Sequence, residues 1–193
     1  MRILTKNAAI TNDYDLIDQY RDRVLVGLSI TAPPASDTAV SVIEPNASSI
    51  NERIAALRLA QSIGLRTYAM FCPLLPGIGA DAAQIEELVD LAVECGAEEI
   101  FVEPVNARGN GLKLTQEMLA ANDQDIAAAS IGRIRKKREW SRYVVDLIKA
   151  VQRCVRTKTD VAKLRVLLYP SKLMSEDADR IRNDDAGVIW LGK

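Results

Sequence analysis

Val24-Leu25-Val26-Gly27-Leu28-Ser29-Ile30 is a near-continuous apolar run. A strand that alternates apolar and polar residues has one face in water. An unbroken run of this length belongs instead to a parallel strand covered on both faces. The same reading holds for Thr67-Tyr68-Ala69-Met70-Phe71-Cys72 and, more briefly, for Ile3-Leu4-Thr5 and Ile100-Phe101-Val102. Between these runs the period changes from two to about 3.6. Asn12 or Asp13 is placed to cap a helix bearing Tyr14, Leu16, Ile17 and Tyr20. Ser48 or Ser49 precedes a helix with apolar positions Ile50, Ile54 and Leu57 that closes at Gly64. A helix from about Asp81 carries Ile85, Leu88, Val89 and Ala92 and closes at Gly96. The closing glycines lie 32 residues apart, about the size of one βα unit. Strand–helix alternation implies a parallel sheet with right-handed crossovers. No G-x-G-x-x-G opens a helix, which favours a barrel or part-barrel over a dinucleotide-binding sheet.

Residues 1–105 therefore read as βα units, either of a barrel or part-barrel or of an open doubly wound sheet. Residues 106–193 read as a helical extension that returns to terminal strands within the same domain. That extension holds two helical stretches, the second from about Glu139 to Val155. A strand at Arg165–Tyr169, a polar helix near Glu176–Arg182 and a last strand at Val188–Leu191 follow. The segment with Pro33, Pro34 and Pro45 is long for a connection and reads as a working loop.

Composition narrows the chemistry. The chain has 193 residues, 25 basic and 26 acidic, for a net charge of −1. That excludes a generally polycationic nucleic-acid binder and leaves room for a local basic patch. No run of about 18 apolar residues is present, and Met1 to Asn7 does not read as a signal peptide, so a cytoplasmic chain is expected. Histidine is absent, which removes His-dependent triads and zinc hydrolase sites from this chain. Cys72, Cys95 and Cys154 are scattered, form no Cys-x-x-Cys, and read as buried packing.

In parallel α/β architectures functional groups gather at the carboxyl ends of strands. Those positions here are Lys6, Ser29 and Thr31, Pro73 to Gly77, Glu103 and Asn106, and Ser171 and Lys172. A lysine and a serine at neighbouring strand ends suit an anionic, hydroxyl-bearing ligand. From pattern alone, ordinary solvated strand ends are the stronger explanation.

Five segments in order add a resemblance: Ile3-Leu4-Thr5-Lys6-Asn7, Val26-Gly27-Leu28-Ser29-Ile30-Thr31, Ile43-Glu44-Pro45-Asn46-Ala47, Asn51-Glu52-Arg53 and Cys72-Pro73-Leu74-Leu75-Pro76-Gly77-Ile78. Together they resemble the radical S-adenosylmethionine (SAM) proteins grouped with spore photoproduct lyase, the DNA repair photolyase group. The resemblance spans Arg2 to Pro104, and Asn106 to Trp140 departs from spore photoproduct lyase itself. It implies that residues 1–105 are βα units of a partial (β/α) TIM-type barrel of parallel strands, the C-terminal portion of a (β/α)6 barrel, with a four-iron four-sulfur cluster held by Cys-x-x-x-Cys-x-x-Cys and cleavage of SAM to a 5′-deoxyadenosyl radical. Carried over by position, Lys6 and Ser29 contact SAM, Lys6 on the carboxylate side and Ser29 at the ribose. Thr31, Glu103 and Asn106 join them as cofactor-side candidates. Glu44 and Arg53 suit an ion pair pinning the long loop as well as a ligand role. The cluster motif belongs upstream of Lys6, and the three cysteines do not replace it. The chain is thus expected to be the C-terminal part of such an enzyme, inactive alone, with DNA lesion repair as the activity of the complete protein.

Two competing readings stay open. One is an accessory α/β chain that binds a partner supplying the missing strands. The other is an aldolase-type barrel with Lys6 or Lys172 as a Schiff-base lysine. An open Ile3 strand would also favour self-association. The basic run Arg133, Arg135, Lys136, Lys137 and Arg138, with Trp140, would grip phosphates and stack on a base in a DNA-acting protein. A solvated helix face with an amphipathic tryptophan is favoured for it, because the run is short and the chain slightly acidic. The stretch Asn106 to Gly111 could cradle a phosphate, but no suitable lysine follows it at a helix start.

Overall fold

The computed structural model describes residues 1–107, 109–170 and 173–192. Six parallel strands form one sheet: β1 Arg2–Thr5, β2 Leu25–Ser29, β3 Thr67–Leu74, β4 Ile100–Pro104, β5 Leu164–Leu168 and β6 Val188–Trp190. They pair in chain order, β1-β2-β3-β4-β5-β6, with no reversal. A doubly wound sheet must reverse its strand order, and this one does not. With every crossover of one hand, all the connecting helices fall on one face of the sheet.

The register shows which residues share that face. Leu28 pairs with Ala69, Ala69 with Ile100, and Ile100 with Leu164. All four are buried in the main apolar core with residues from the helices. The helices are α1 Tyr14–Asp18, α2 Asp37–Ile43, α3 Ile50–Ser62, α4 Ala82–Glu94, α5 Gly111–Ala120, α6 Asp125–Ile134, α7 Lys137–Lys158 and α8 Ser175–Arg182. None is long and apolar enough to cross a membrane among the described residues. A second, smaller cluster under β1 and β2 joins Tyr14, Ile17, Val24, Val26, Ala60 and Leu65.

Local signals account for much of this. Ser49 accepts from the Glu52 backbone N–H while the Glu52 carboxylate accepts from the Ser49 N–H, a reciprocal cap that starts α3. Gln84 accepts from the Asp81 N–H at the start of α4. Gly64 and Gly96 take φ of +80° and +63°, which stops both helices. Other expectations are revised. The helix near Tyr14 is only five residues long, and Asp13 makes no side-chain cap to it. The proline-bearing loop folds into α2, and residues 106–158 form three helices where two were expected.

The other face of the sheet carries Leu4, Gly27, Ser29, Tyr68, Met70 and Phe101. None of these belongs to either apolar cluster. Leu4 is 49% exposed, and Phe101 and Leu167 are half-buried. At the amino end of this face Arg2 is paired with Glu99 and lies over the Phe101 ring, while Arg165 lies 3.6 Å from the same carboxylate. β1 pairs only with β2 and is an edge strand.

Gly27 is what lets this face pack. The Tyr68 ring lies across it, packs edge-on against Phe101 at 5.7 Å, and its hydroxyl donates to the Ile3 carbonyl at 3.1 Å. A Cβ at position 27 would stand 2.5–2.8 Å from three atoms of that ring. Gly27→Ala should therefore cost about 1–3 kcal/mol as the ring is forced off its site. Urea denaturation will measure this, and an unchanged midpoint would show that the ring moves aside freely.

Candidate functional site

Parallel pairing brings the carboxyl ends of β1 to β4 to one rim. Lys6 follows β1, Ser29 ends β2, Cys72 lies near the end of β3 and Glu103 near the end of β4. Two polar clusters form there.

The first is built on Arg53, whose side chain is 1% exposed. A buried guanidinium is costly unless its donors find partners. Arg53 Nε donates to the Ser48 carbonyl at 2.7 Å and Nη1 to the Ser29 carbonyl at 3.0 Å. Its Nη2 lies 2.8 Å from Glu44 Oε2, an ion pair without the alignment of a hydrogen bond. Glu44 Oε1 meets the Lys6 ammonium and accepts from the Thr31 hydroxyl at 2.7 Å. Thr31 in turn accepts from Lys6 Nζ at 3.3 Å. Two cations thus face one carboxylate. Lys6 keeps 34% of its side chain exposed and commits two of its three ammonium hydrogens among the described residues. Glu44 and Arg53 also line a cavity of about 320 Å³ with Asp37, Ser41, Ser48 and Ser49.

The second cluster is Cys72 with Glu103. Cys72 Sγ lies 3.2 Å from Glu103 Oε2. Burial, then the Glu103 charge and its acceptance of the thiol hydrogen, push Cys72 up to about 12, so the sulfur stays protonated. The Ser29 hydroxyl donates to the Cys72 carbonyl at 2.8 Å and joins the two clusters.

The structure therefore gathers four of the five cofactor-side candidates at one rim. Lys6 is the most open of them. Ser29 is 4% exposed with its hydroxyl hydrogen committed, and Thr31 is fully buried within the Lys6–Glu44 contact. Glu103 is half-buried against Cys72, and Asn106 is exposed in the segment after β4. Ser171 and Lys172 lie outside the described residues. Glu44 and Arg53 form the ion pair that was one of the two roles open to them. Sequence reasoning missed the Cys72–Glu103 contact, although applying the strand-end rule to Cys72 would have found it.

The cysteines do not converge. Cys95 is buried at the end of α4 and Cys154 sits on α7, both with thiols raised by burial, Cys95 to about 11. Buried packing was expected of all three; Cys95 is buried, and Cys72 and Cys154 are half-buried. Among the described residues no group of three or more Cys, Asp or Glu side chains is placed to hold a metal ion.

No family model matches the chain, and no solved structure matches it. Over 120 residues it is 27% identical to the uncharacterized protein ORF301 of Acidianus two-tailed virus. That alignment takes in 61% of this chain and 39% of the viral protein, so the chain spans well under half of that relative.

Glu44 gives the site a pH signature. Burial raises its carboxyl, but hydrogen bonds from Lys6 and Thr31 and the charges of Lys6 and Arg53 outweigh it and hold the group below its ordinary value of 4.5. A carboxyl depressed by folding adds stability above its unfolded value and loses it as pH falls through the folded value. Glu44→Gln should lose about 1–3 kcal/mol at neutral pH. Its stability should also fall less steeply than the wild type below about pH 4.5. Denaturation curves across that range check both, and parallel acid limbs would refute the coupling.

Proposed function

We propose that this chain forms part of a radical SAM barrel of the spore photoproduct lyase-like group, in which Lys6 meets the SAM carboxylate. The observation that carries the reading is the place of Lys6 at the rim, half-exposed beside the ends of β1 and β2. Lys6 and Arg53 share the Glu44 carboxylate, and the more exposed of the two, Lys6, keeps a third N–H uncommitted among the described residues. A carboxylate arriving there completes a charge-assisted contact at little cost in reorganisation, because Glu44 and Thr31 already hold the ammonium in place.

The strand order supports the same reading. Sequential parallel pairing is how a barrel winds, and it brings Lys6 and Ser29 to the rim where barrels place their ligands. The SAM-facing residues fit a bound carboxylate. In the family this chain resembles, SAM is the source of the radical. The chain's own share is to hold the carboxylate through Lys6, keep Glu44 ionised, and fix the β2 and β3 ends through Ser29 and Arg53. The iron–sulfur cluster does not fit this chain's three cysteines, which lie on separate elements as protonated thiols. In this reading its ligands come from other elements, and the edge of β1 offers a place for further strands to add. The aldolase reading loses support at Lys6, which sits against a carboxylate and a hydroxyl rather than in an apolar pocket; its other candidate, Lys172, lies outside the described residues.

Calorimetric titration of SAM into the folded chain tests the proposal. Lys6→Ala should weaken binding roughly ten- to a hundredfold, the worth of one charged hydrogen bond. Ser29→Ala should weaken it about fivefold or less. Melting curves confirm that both variants stay folded. An unchanged dissociation constant for Lys6→Ala, or no saturable binding by the wild type, overturns the reading.

A further inference from the structure

The cavity of about 320 Å³ lies between α2 and the start of α3. It is on the Arg53 side of Glu44. Oε1 of that carboxylate meets Lys6 and Thr31, while Oε2 faces Arg53. Asp37, Thr38 and Ser41 enter the wall from α2, where three- and four-residue spacing puts them on one face. Ser48 and Ser49 enter from the segment before α3, and Arg53 from just inside it. The volume is at the lower end of small-molecule pockets, which run from about 300 to 1,000 Å³.

The fold does not spend all the polar groups of this wall. Glu44 Oε2 is buried and accepts no hydrogen bond, a costly state for a carboxylate oxygen. Arg53, itself 1% exposed, aligns Nε and one Nη1 hydrogen on the Ser48 and Ser29 carbonyls. A guanidinium has further N–H groups, and these have no aligned acceptor among the described residues. Asp37 uses Oδ1 on the Ile50 N–H at 2.9 Å, and its Oδ2 is unspent. Ser48 Oγ accepts from the Ala8 N–H at 2.9 Å and keeps its own hydrogen. The Thr38 carbonyl takes the Ser41 hydroxyl, while the Thr38 hydroxyl makes no hydrogen bond among the described residues. The amides that open α3 are mostly taken. Asp37 takes that of Ile50, Ser49 Oγ that of Glu52 and the Ser49 carbonyl that of Arg53. No bare helix end is left there for an anion.

We infer that this cavity is a binding site for an uncharged monosaccharide. Charge selects against the alternatives. Asp37 and Glu44 in the wall repel an anion, and Arg53, with Lys6 behind Glu44, repels a cation. Hydrogen bonding then selects the polyol. Unspent acceptors, Glu44 Oε2 and Asp37 Oδ2, share one space with unspent donors on Arg53, Thr38 and Ser48. A hydroxyl donates and accepts at once, so a ring carrying several of them answers both kinds. One hydroxyl seated between Arg53 and Glu44 accepts from the guanidinium and donates to Oε2, which completes the buried pair. Val40, Pro45 and Ala47 offer small apolar surfaces to the C–H groups of such a ring. No aromatic side chain lines the cavity, so a nucleobase gains no stacking there.

Titration of the isotope-labelled chain with D-ribose or D-glucose, without SAM, tests this by NMR. The backbone amides of residues 37–53 and the Arg53 Nε–H should shift and saturate. Ser41→Leu, at an exposed position of α2, fills the cavity and should weaken binding about tenfold or more. Thr38→Val removes one hydroxyl and should weaken it about fivefold. The control Ser62→Leu puts the same bulk at an exposed position at the far end of α3 and should stay within about twofold of wild type. Melting curves confirm that all three variants stay folded. Glucosamine, glucose 6-phosphate and adenosine are the cationic, anionic and nucleoside comparisons, and each should bind more weakly than the neutral sugars. No saturating shift with either sugar, equal losses in Ser41→Leu and Ser62→Leu, or tighter binding of any of the three comparisons overturns the inference. Lys6 does not line the cavity and no SAM is present. Failure here therefore leaves the Lys6 reading standing, and failure of SAM binding leaves this one standing.

Discussion

The Arg53 guanidinium is the contact on which the carboxyl rim depends. It is almost fully buried, and a charge in that position must be met by acceptors on several sides. They come from segments far apart in the chain: the Ser29 carbonyl at the end of β2, the Ser48 carbonyl before α3, and Glu44 just after α2. Glu44 then reaches Lys6 and Thr31. Arg53 and Glu44 together thereby tie the ends of β1 and β2 to the segments flanking α2 and α3. Replacing Arg53 with an apolar residue would leave a buried carboxylate and two carbonyls short of donors, a loss of about 3–5 kcal/mol for a broken buried pair. The long connection from Ile30 to Ser49 is thus held by charge and hydrogen bonding as well as by apolar packing. That explains how a segment with three prolines stays ordered beside the rim.

A second constraint comes from the winding. Because the strands pair in chain order, every helix packs on one face and supplies the apolar core there. The opposite face must manage with the side chains of the strands themselves. It does so by size matching across strands. Gly27 makes room for Tyr68, Tyr68 reaches over β2 to the Ile3 carbonyl, and Phe101 meets its edge. The polar groups are then left to the ends of the strands, with Arg2, Glu99 and Arg165 at the amino end and Lys6, Ser29, Cys72 and Glu103 at the carboxyl end.

Much of the framework was legible in the sequence because its signals are local. Apolar runs marked β2 and β3, Ser49 and Gly64 bounded α3, and Gly96 closed α4. Lys6, Ser29, Thr31 and Glu103 were found by one rule, that parallel strands present their carboxyl ends together. What escaped depends on long-range pairing. α2 was hidden among prolines because only seven residues are helical, and it is secured partly from outside, by Asp37 accepting from the Ile50 N–H at 2.9 Å. The inward turn of Trp140 was illegible because its partner, the Val105 carbonyl, lies 35 residues away. The commitment of Ser29 and Thr31 to internal partners likewise rests on Cys72 and Glu44, which no periodicity links to them.

The charges on α7 separate into two kinds when judged by what the fold needs. Arg156 and Lys158, near its C-terminus, meet the negative end of the helix dipole, and they are paired with Asp184 and with Glu86 and Asp90. Local electrostatics is a sufficient reason for them. Lys136, Lys137 and Arg138, at the other end, meet a dipole of their own sign, which Glu139 in the same turn offsets in part; of the three, Arg138 alone has an ion pair among the described residues, with Glu176. The helix tolerates them because its stripe of Val144, Leu147, Ile148, Val151 and Val155 is buried along 22 residues, and that burial far outweighs an unfavourable first turn. Packing thus explains how the N-terminal cations are carried. The cost stays local to the first turn of a helix that the Trp140 and Tyr143 hydrogen bonds tie to the ends of β4 and β3.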